Sequence, residues 1–316
     1  VRLWTLIAIA ALVAGAAGWW LSTAKPAADP RIVRVALSPS GRWLAAASAS
    51  GTVSVMATGP GMLLARVAIS GSVCNDVQFG PGDDVLGVAG RDLWVWKFQG
   101  PDLPRRVRKD GVNYGMAEWD PDGRSLLTVT GGGVIARIEA ATGSMRWSAC
   151  CTSIYGDVRY APGGRIFVHG GHNPSRRDAA SGVLLDKLVP ARSGPAYGPV
   201  AFDLSRGHVC FGSQDGSVLC RDAGTLAPAA APPRQPGWIE SIAFSVDGER
   251  AALAVSGAGL RLWDRRTGAV TTTSGMPTSN VVLSADGSTA MFGTADGRIE
   301  FRSATDGRVS RSIDCR

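Results

Sequence analysis

The chain has 316 residues with 33 Lys and Arg against 26 Asp and Glu, a net charge of +7, and 45% hydrophobic residues, enough for a sizeable core and too many for a disordered chain. Glycine stands at 41 residues, about twice its usual share, which demands many turns and excludes a mainly helical protein. Three His and six Cys leave little material for a multi-metal enzyme, so no cofactor is expected.

Leu3 to Leu21 runs nineteen positions without a charge, preceded by Arg2 and closed by Trp19 and Trp20. As a helix at ~1.5 Å per residue it spans about 28 Å, close to the hydrocarbon thickness of a bilayer. The paired indoles suit a membrane interface. Residues 1–24 therefore read as a transmembrane anchor, with a cleaved signal peptide as the rival, since Ala14-Gly15-Ala16 and Ser22-Thr23-Ala24 offer small residues at the required spacing. No cysteine follows the apolar run until Cys74, which excludes lipid acylation there. A hydrophobic start with a leading basic residue directs export, although Lys25, Arg31 and Arg34 beyond it weaken the charge rule for orientation. Residues 25–30 form a linker.

From residue 31 to residue 316 the chain repeats. A turn of the SPSG or SVDG type has its fourth position at Gly41, Asp83, Gly123, Gly164, Arg206, Gly248 and Gly287, at spacings of 42, 40, 41, 42, 42 and 39. Six positions before each stand Val35, Val77, Ala117, Val158, Val200, Ile242 and Val281, and four before it Leu37, Phe79, Trp119, Tyr160, Phe202, Phe244 and Leu283. Apolar positions two apart, seven times over, describe a strand with one buried face. Two further apolar runs and a polar fourth follow, joined by Gly-rich turns such as SQDG, SGAG and TADG. Four antiparallel strands in about 41 residues, repeated seven times, predict an all-β, seven-bladed β-propeller. One small sheet cannot bury both its faces, so each blade must cover its neighbours. The first unit begins with its innermost strand and the last finishes its own outer strand, so closure is expected from packing of blades seven and one unless residues 22–30 supply a strand.

At LWDRRTG the unit resembles WD-repeat and YVTN-type propeller blades, Trp263 and Asp264 occupying the Trp-Asp slot. Elsewhere that slot holds Met56-Ala57, Trp96-Lys97, Ile138-Glu139, Arg177-Asp178, Arg221-Asp222 and Arg302-Ser303, and no Gly-His dipeptide precedes any blade. The family's His–Ser–Asp–Trp network is therefore not carried over. The resemblance implies a scaffold role in protein–protein interaction.

Chemistry is sparse. His169-Gly-Gly-His172 supplies two imidazoles, with Asp178 the only nearby third ligand, and reads as a surface turn rather than a metal site. Ala136–Trp147 (ARIEAATGSMRW) resembles one tryptophan-docking repeat of pyrroloquinoline-quinone dehydrogenases, in which the pattern recurs in most blades. The basic run Arg105–Lys109 falls on an outer strand, where charge protects an edge, and no aromatic platform interleaves it, so nucleic acid is not expected as a partner. Cys210 and Cys220 flank the SQDG turn. A three-residue loop at Gln214–Gly216 would set them opposite one another as a disulfide, and a two-residue loop would put them on opposite faces. Cys150 and Cys151 are adjacent, either reduced or bridged.

Binding is expected on the loops leading into the innermost strands, where Tyr114, Tyr155, Arg192, Tyr197, Arg234 and Trp238 are candidates of the residue types that dominate interface energetics. The Pro-rich loop Ala227–Gly237 is stiff enough to present Arg234 and Trp238. Arg34, Asp76, Gln78, Glu118 and Arg159 are expected to line the axis as a mutually compensated channel. The chain thus reads as an inner-membrane-anchored periplasmic propeller, non-catalytic, binding proteins or peptides of unspecified identity, with a cleaved, secreted form as the variant. The alternatives are an exported enzyme or small-ligand binder of the quinoprotein kind, and an envelope-assembly propeller that binds peptide strands.

Overall fold

The computed structural model describes residues 29–59, 61–69, 73–150, 156–172, 174–188, 196–273 and 275–316. The apolar run at residues 3–21 lies outside them. Among the described residues no helix is long and apolar enough to cross a membrane.

Seven antiparallel sheets follow one another along the chain, each contiguous in sequence, with their strands ordered from the axis outward. Their innermost strands are Ile32–Leu37, Cys74–Phe79, Tyr114–Trp119, Val158–Tyr160, Tyr197–Asp203, Ile239–Phe244 and Val281–Leu283. This is the expected seven-bladed propeller. All seven apolar markers, from Val35 to Val281, are buried, because each points from its own blade into the face of a neighbour.

Six blades have four strands, whereas the fifth has three: Tyr197–Asp203, His208–Ser213 and Val218–Asp222. Its outer position is held by a single bridge, Arg221 to Pro228, with Ala229 N donating to Cys220 O at 3.0 Å. Proline has no N–H for a ladder, and Pro228, Pro232, Pro233 and Pro236 reduce a fourth strand to this one contact. The fifth unit also departs from the repeat at its turn. There the residue with positive φ is Gly207 (65°) rather than Arg206, because the inner strand is one residue longer. In the second unit Asp83 takes the same conformation (φ 61°), and its carboxylate accepts the Ser40 amide of blade one at 3.0 Å.

The lower turns nest against one another around the ring. A Cβ at Gly287 would lie 2.6 Å from Ser245 Cβ of the preceding blade, and one at Gly248 would lie 2.0 Å from Ser205 Oγ, so glycine is needed there for approach as well as for backbone angle. At Gly41, which faces blade seven, nothing lies within 4 Å. A cleft of about 460 Å³ opens there between blades seven and one. Among the described residues no strand is exchanged across this seam. It closes by packing of Ile32, Leu44 and Met56 against Met291, Ile299 and Phe301, by Ile32 N donating to Thr294 O at 3.2 Å, and by the Arg311 guanidinium donating to the carbonyls of Thr58 and Gly59.

Three further sequence expectations find their places. Trp147, on the outer strand Met145–Ala149 of blade three, stacks on Phe167 of blade four at 5.7 Å and donates its indole N–H to Ala179 O at 3.2 Å. A Cβ at Gly182 would strike that ring at 2.6 Å, so the ATG-type turn and the docked indole fit each other. The basic run lies on the outer strand Arg105–Arg108 and is tied to blade three, Arg105 donating to Ala140 O (2.6 Å) and Arg108 to Gly143 O (3.1 Å). Cys210 and Cys220 form a disulfide between directly opposed residues. Ser213 N bonds Ser217 O at 2.9 Å, which closes a three-residue loop at Gln214–Gly216.

Candidate functional site: the axial channel and its upper mouth

The inner strands start at the upper face, and in five of the blades their pairing register shifts just before the marker: between Ile32 and Arg34, Cys74 and Asp76, Tyr114 and Met116, Tyr197 and Val200, and Ile239 and Ser241. A bulge of this kind re-aims the next side chain. In five of the blades the residue preceding the marker meets the marker amide of the next blade. Asp76 Oδ2 accepts Ala117 N (3.1 Å), Asp157 Oδ2 accepts Val200 N (3.2 Å), and Ser241 Oγ accepts Val281 N (3.2 Å). Met116 Sδ takes Val158 N at 3.1 Å. Asn280 closes the ring by accepting Val35 N and donating to Val35 O, both at 2.8 Å. Arg34 and Pro199, at the same position in blades one and five, have no acceptor to offer. The ring was missed in the sequence because the apolar markers alone were aligned. Reading one residue earlier in each repeat gives Arg34, Asp76, Met116, Asp157, Pro199, Ser241 and Asn280, predominantly polar in an otherwise apolar stretch.

The residue following each marker faces the axis. Gln78, Glu118 and Arg159 stand there in blades two to four, and Ala36, Ala201, Ala243 and Val282 in the others, all around a channel of about 730 Å³. Arg34 lines it as expected. Asp76 does not: it is wholly buried behind the wall, where its Oδ1 lies 2.8 Å from Arg34 Nε. Asp157 and Glu240 line the channel and were not anticipated.

Arg159 Nη1 donates to Glu118 Oε2 at 2.7 Å, and its Nη2 lies 3.5 Å from Asp157 Oδ2. Burial raises the Glu118 carboxyl to about 7; Arg159 opposes that rise, while Asp157 and Asp76 add to it. Asp76 is likewise raised, by burial first and against the pull of Arg34. The Arg159 guanidinium is held more firmly charged, because the carboxylates around it outweigh its own burial. Glu240 is exposed and has no ion-pair partner among the described residues. Among the described residues Arg34 and Arg159 thus stand against Glu118, Asp157 and Glu240 in the channel and Asp76 behind its wall, a partial compensation where the sequence leads one to expect balance.

Of the six loop candidates, Tyr155 and Arg192 lie outside the described residues. Tyr114 is buried and its hydroxyl donates to Asp110 Oδ2 at 2.8 Å, so its ring is core between blades two and three. Tyr197 is half-buried, edge-on to Phe211 at 6.4 Å. Trp238 lines the upper channel mouth, half-buried. Arg234 is exposed on the same segment, its Nε donating to Asp215 O (2.8 Å) and its Nη2 lying 3.2 Å from Asp215 Oδ2. Gln235 N bonds Gly216 O at 2.8 Å, which staples the Pro-rich segment to the disulfide-bearing hairpin. Arg234 and Trp238 thus stand on one rim segment, whereas Tyr114, expected on an exposed loop, is buried.

His169 is buried at the end of the strand Ile166–His169 rather than in a surface turn, and burial lowers its imidazole to about 4. Among the described residues no group of three or more His, Cys, Asp and Glu side chains is placed to hold a metal. No family model matches the chain, and no curated protein matches it.

Proposed function

We propose that this chain is a non-catalytic protein-interaction scaffold, a degenerate relative of the WD-repeat propellers, held at the membrane by residues 3–21 with the propeller on the extracytoplasmic side. The observation that carries the scaffold role is the pre-organised upper rim. Arg234 projects from a proline-stiffened segment, is braced by Asp215, and stands four residues from the half-buried Trp238. Arginine and tryptophan presented on one proline-stiffened segment are the residue types that dominate protein interfaces. The Cys210–Cys220 bridge supports an oxidising compartment, since such bonds persist outside the reducing cytosol. The Trp263-Asp264 pair at the end of the strand Gly259–Asp264 supports the family relation.

Photo-crosslinkers at Gln214 and Trp238, compared with one at Val246 on the lower turns, test the reading in intact cells. The expected result is a discrete adduct from the two upper positions, absent at Val246 and lost on Arg234→Ala. Adducts from Val246 alone, or an unchanged pattern in the Arg234 variant, would remove the upper rim from the proposal. Protease treatment of spheroplasts tests the orientation, with degradation of the propeller expected before lysis.

A further inference from the structure

The positive charge of the upper surface gathers on one side of the ring. The outer strand Arg105–Arg108 of blade two ends at the upper face and continues into the exposed Lys109. Arg91 is exposed in the upper turn between the strands Val85–Gly90 and Leu93–Lys97 of the same blade, and Arg66 is exposed on the outer strand Leu63–Ala68 of blade one. Two acids stand among these six cations: Asp92, 3.5 Å from Arg106, and Asp110, bonded to Arg108. The shoulder of blades one and two therefore carries four more positive than negative side chains. Blade seven, beside it, pairs its upper charges, Arg298 with Asp296 and Arg316 with Asp314. Blade five, across the ring, pairs Arg234 with Asp215, and blade six exposes Glu240.

The shoulder lies where the chain arrives. The described residues begin at Asp29, and Pro30 packs on the upper turn of blade seven at Gly297, next to blade one. Seven residues separate Asp29 from Leu21, the end of the apolar run, and fully extended they reach about 25 Å. Whatever holds residues 3–21 is thus kept closest to blades seven, one and two. Arg105 and Arg108 also brace blade three, but Arg66 is engaged only at the surface, with Arg316 O at 2.7 Å, and Lys109 makes no ion pair among the described residues. Val73, 57% exposed in the loop entering blade two, adds an apolar side chain to the same upper surface.

We infer that the upper shoulder of blades one and two docks on an anionic lipid surface, with headgroup phosphates accepting from Arg66, Arg91, Arg106 and Lys109 and with Val73 entering among the headgroups. The inference rests on the reading of residues 3–21 as a membrane anchor, and it adds an orientation that an anchor alone does not impose. Guanidinium and ammonium groups bring donors and no acceptor, which suits phosphate oxygens. The attraction acts within a Debye length, about 8 Å at physiological salt, so it needs the shoulder to be held near the bilayer. The short tether does this by raising the effective concentration of the two surfaces, and a weak contact is then populated. Blade five stands opposite blades one and two in a ring of seven, so docking on this side leaves Arg234 and Trp238 turned toward water.

The full chain in lipid nanodiscs tests it, with a fluorescent coumarin side chain encoded at Val73 or, as the control, at Val246 on the lower turns, and with a spin-label quencher on the lipid headgroups. In discs containing phosphatidylglycerol the label at Val73 should be quenched and the label at Val246 should not. The quenching should be lost in discs of phosphatidylcholine alone, and also in about 0.5 M NaCl, where the Debye length falls to about 4 Å. The combined variant Arg66→Gln, Arg91→Gln and Lys109→Gln should lose it in phosphatidylglycerol as well. Equal quenching at both positions, or quenching at Val73 that ignores headgroup charge and salt, would overturn the docking, and neither outcome depends on that variant folding. A chain that does not enter the discs removes the anchor and the docking together. A chain that enters with Val73 unquenched removes the docking alone, and a coumarin shift at Val73 on adding single-stranded DNA would then give the shoulder to a soluble polyanion.

Discussion

Blades one to four and blades five to seven solve the same packing problem with their charges in different places. In the first group the ion pairs gather at or just behind the axis: Arg34 with Asp76 and Arg159 with Glu118 between blades, and Arg159 with Asp157 within blade four. In the second group the axis is smooth, and the strong pair lies at the lower rim between blades five and six. There Arg265 meets Asp203 with both side chains almost fully buried. Arg265 also lies over the rings of Trp263 and Phe244, each at 5.1 Å, and donates to Gly248 O at 2.9 Å. Asp203 accepts Ser205 Oγ at 2.8 Å, and its carboxyl is held below the usual range: burial alone would raise it, but the bonds from Arg265 and Ser205 outweigh that. The difference teaches that cohesion and the channel are separable. Where the rim carries the charge pair, the axis carries none and leaves room; where the axis carries it, the pairs are largely buried and burial raises the Glu118 carboxyl to about 7.

The largest effect should come from breaking the rim pair. Asp203→Ala leaves the Arg265 guanidinium buried without its counter-ion and should cost about 3–5 kcal/mol in chemical denaturation. The matching change on the axis, at Glu118, should be smaller and should depend on pH. Glu118 has a folded-state value near 7 against an ordinary 4.5. The stability linked to its neutral form is complete below 4.5 and is withdrawn as pH rises to 7. Unfolding free energy should therefore fall by about 1–3 kcal/mol across that window, and Glu118→Gln should flatten it. A wild-type slope unchanged in that variant would show that the axial pairs are solvated like surface ones. The smallest effect is expected at the seam. Asn280→Ala removes both bonds to Val35 and should cost about 1–2 kcal/mol, with faster amide exchange at Val35 than at Val200 of blade five, whose amide keeps its Asp157 acceptor. Equal exchange in the two places would mean that apolar packing alone holds blades seven and one together.

How much was legible varies with the range of the interaction. Seven blades could be read because the marker turns and the alternation of apolar residues are local. The disulfide was legible as an either-or, since loop length alone fixes whether Cys210 and Cys220 oppose each other, and Ser213–Ser217 pairing settled it. The fifth unit misled at Arg206 because an extra residue in the inner strand moves the positive-φ position to Gly207, and sequence spacing alone does not show where an insertion is absorbed. Tyr114 misled because a loop position was equated with exposure, whereas its hydroxyl finds Asp110 within the same turn.

By itself the sequence determined the repeat, the all-β class, the blade count and the polarity of each strand face, because these follow from side-chain period and turn chemistry within about forty residues. Only the tertiary structure decided which residues meet across the axis. The contact from Asn280 to Val35 joins positions 245 residues apart, which only closure of the ring brings together. The charge balance of the channel is likewise a sum over separate blades. Each strand contributes one or two groups that look unremarkable alone, and closure of the ring brings four carboxylates around two guanidiniums.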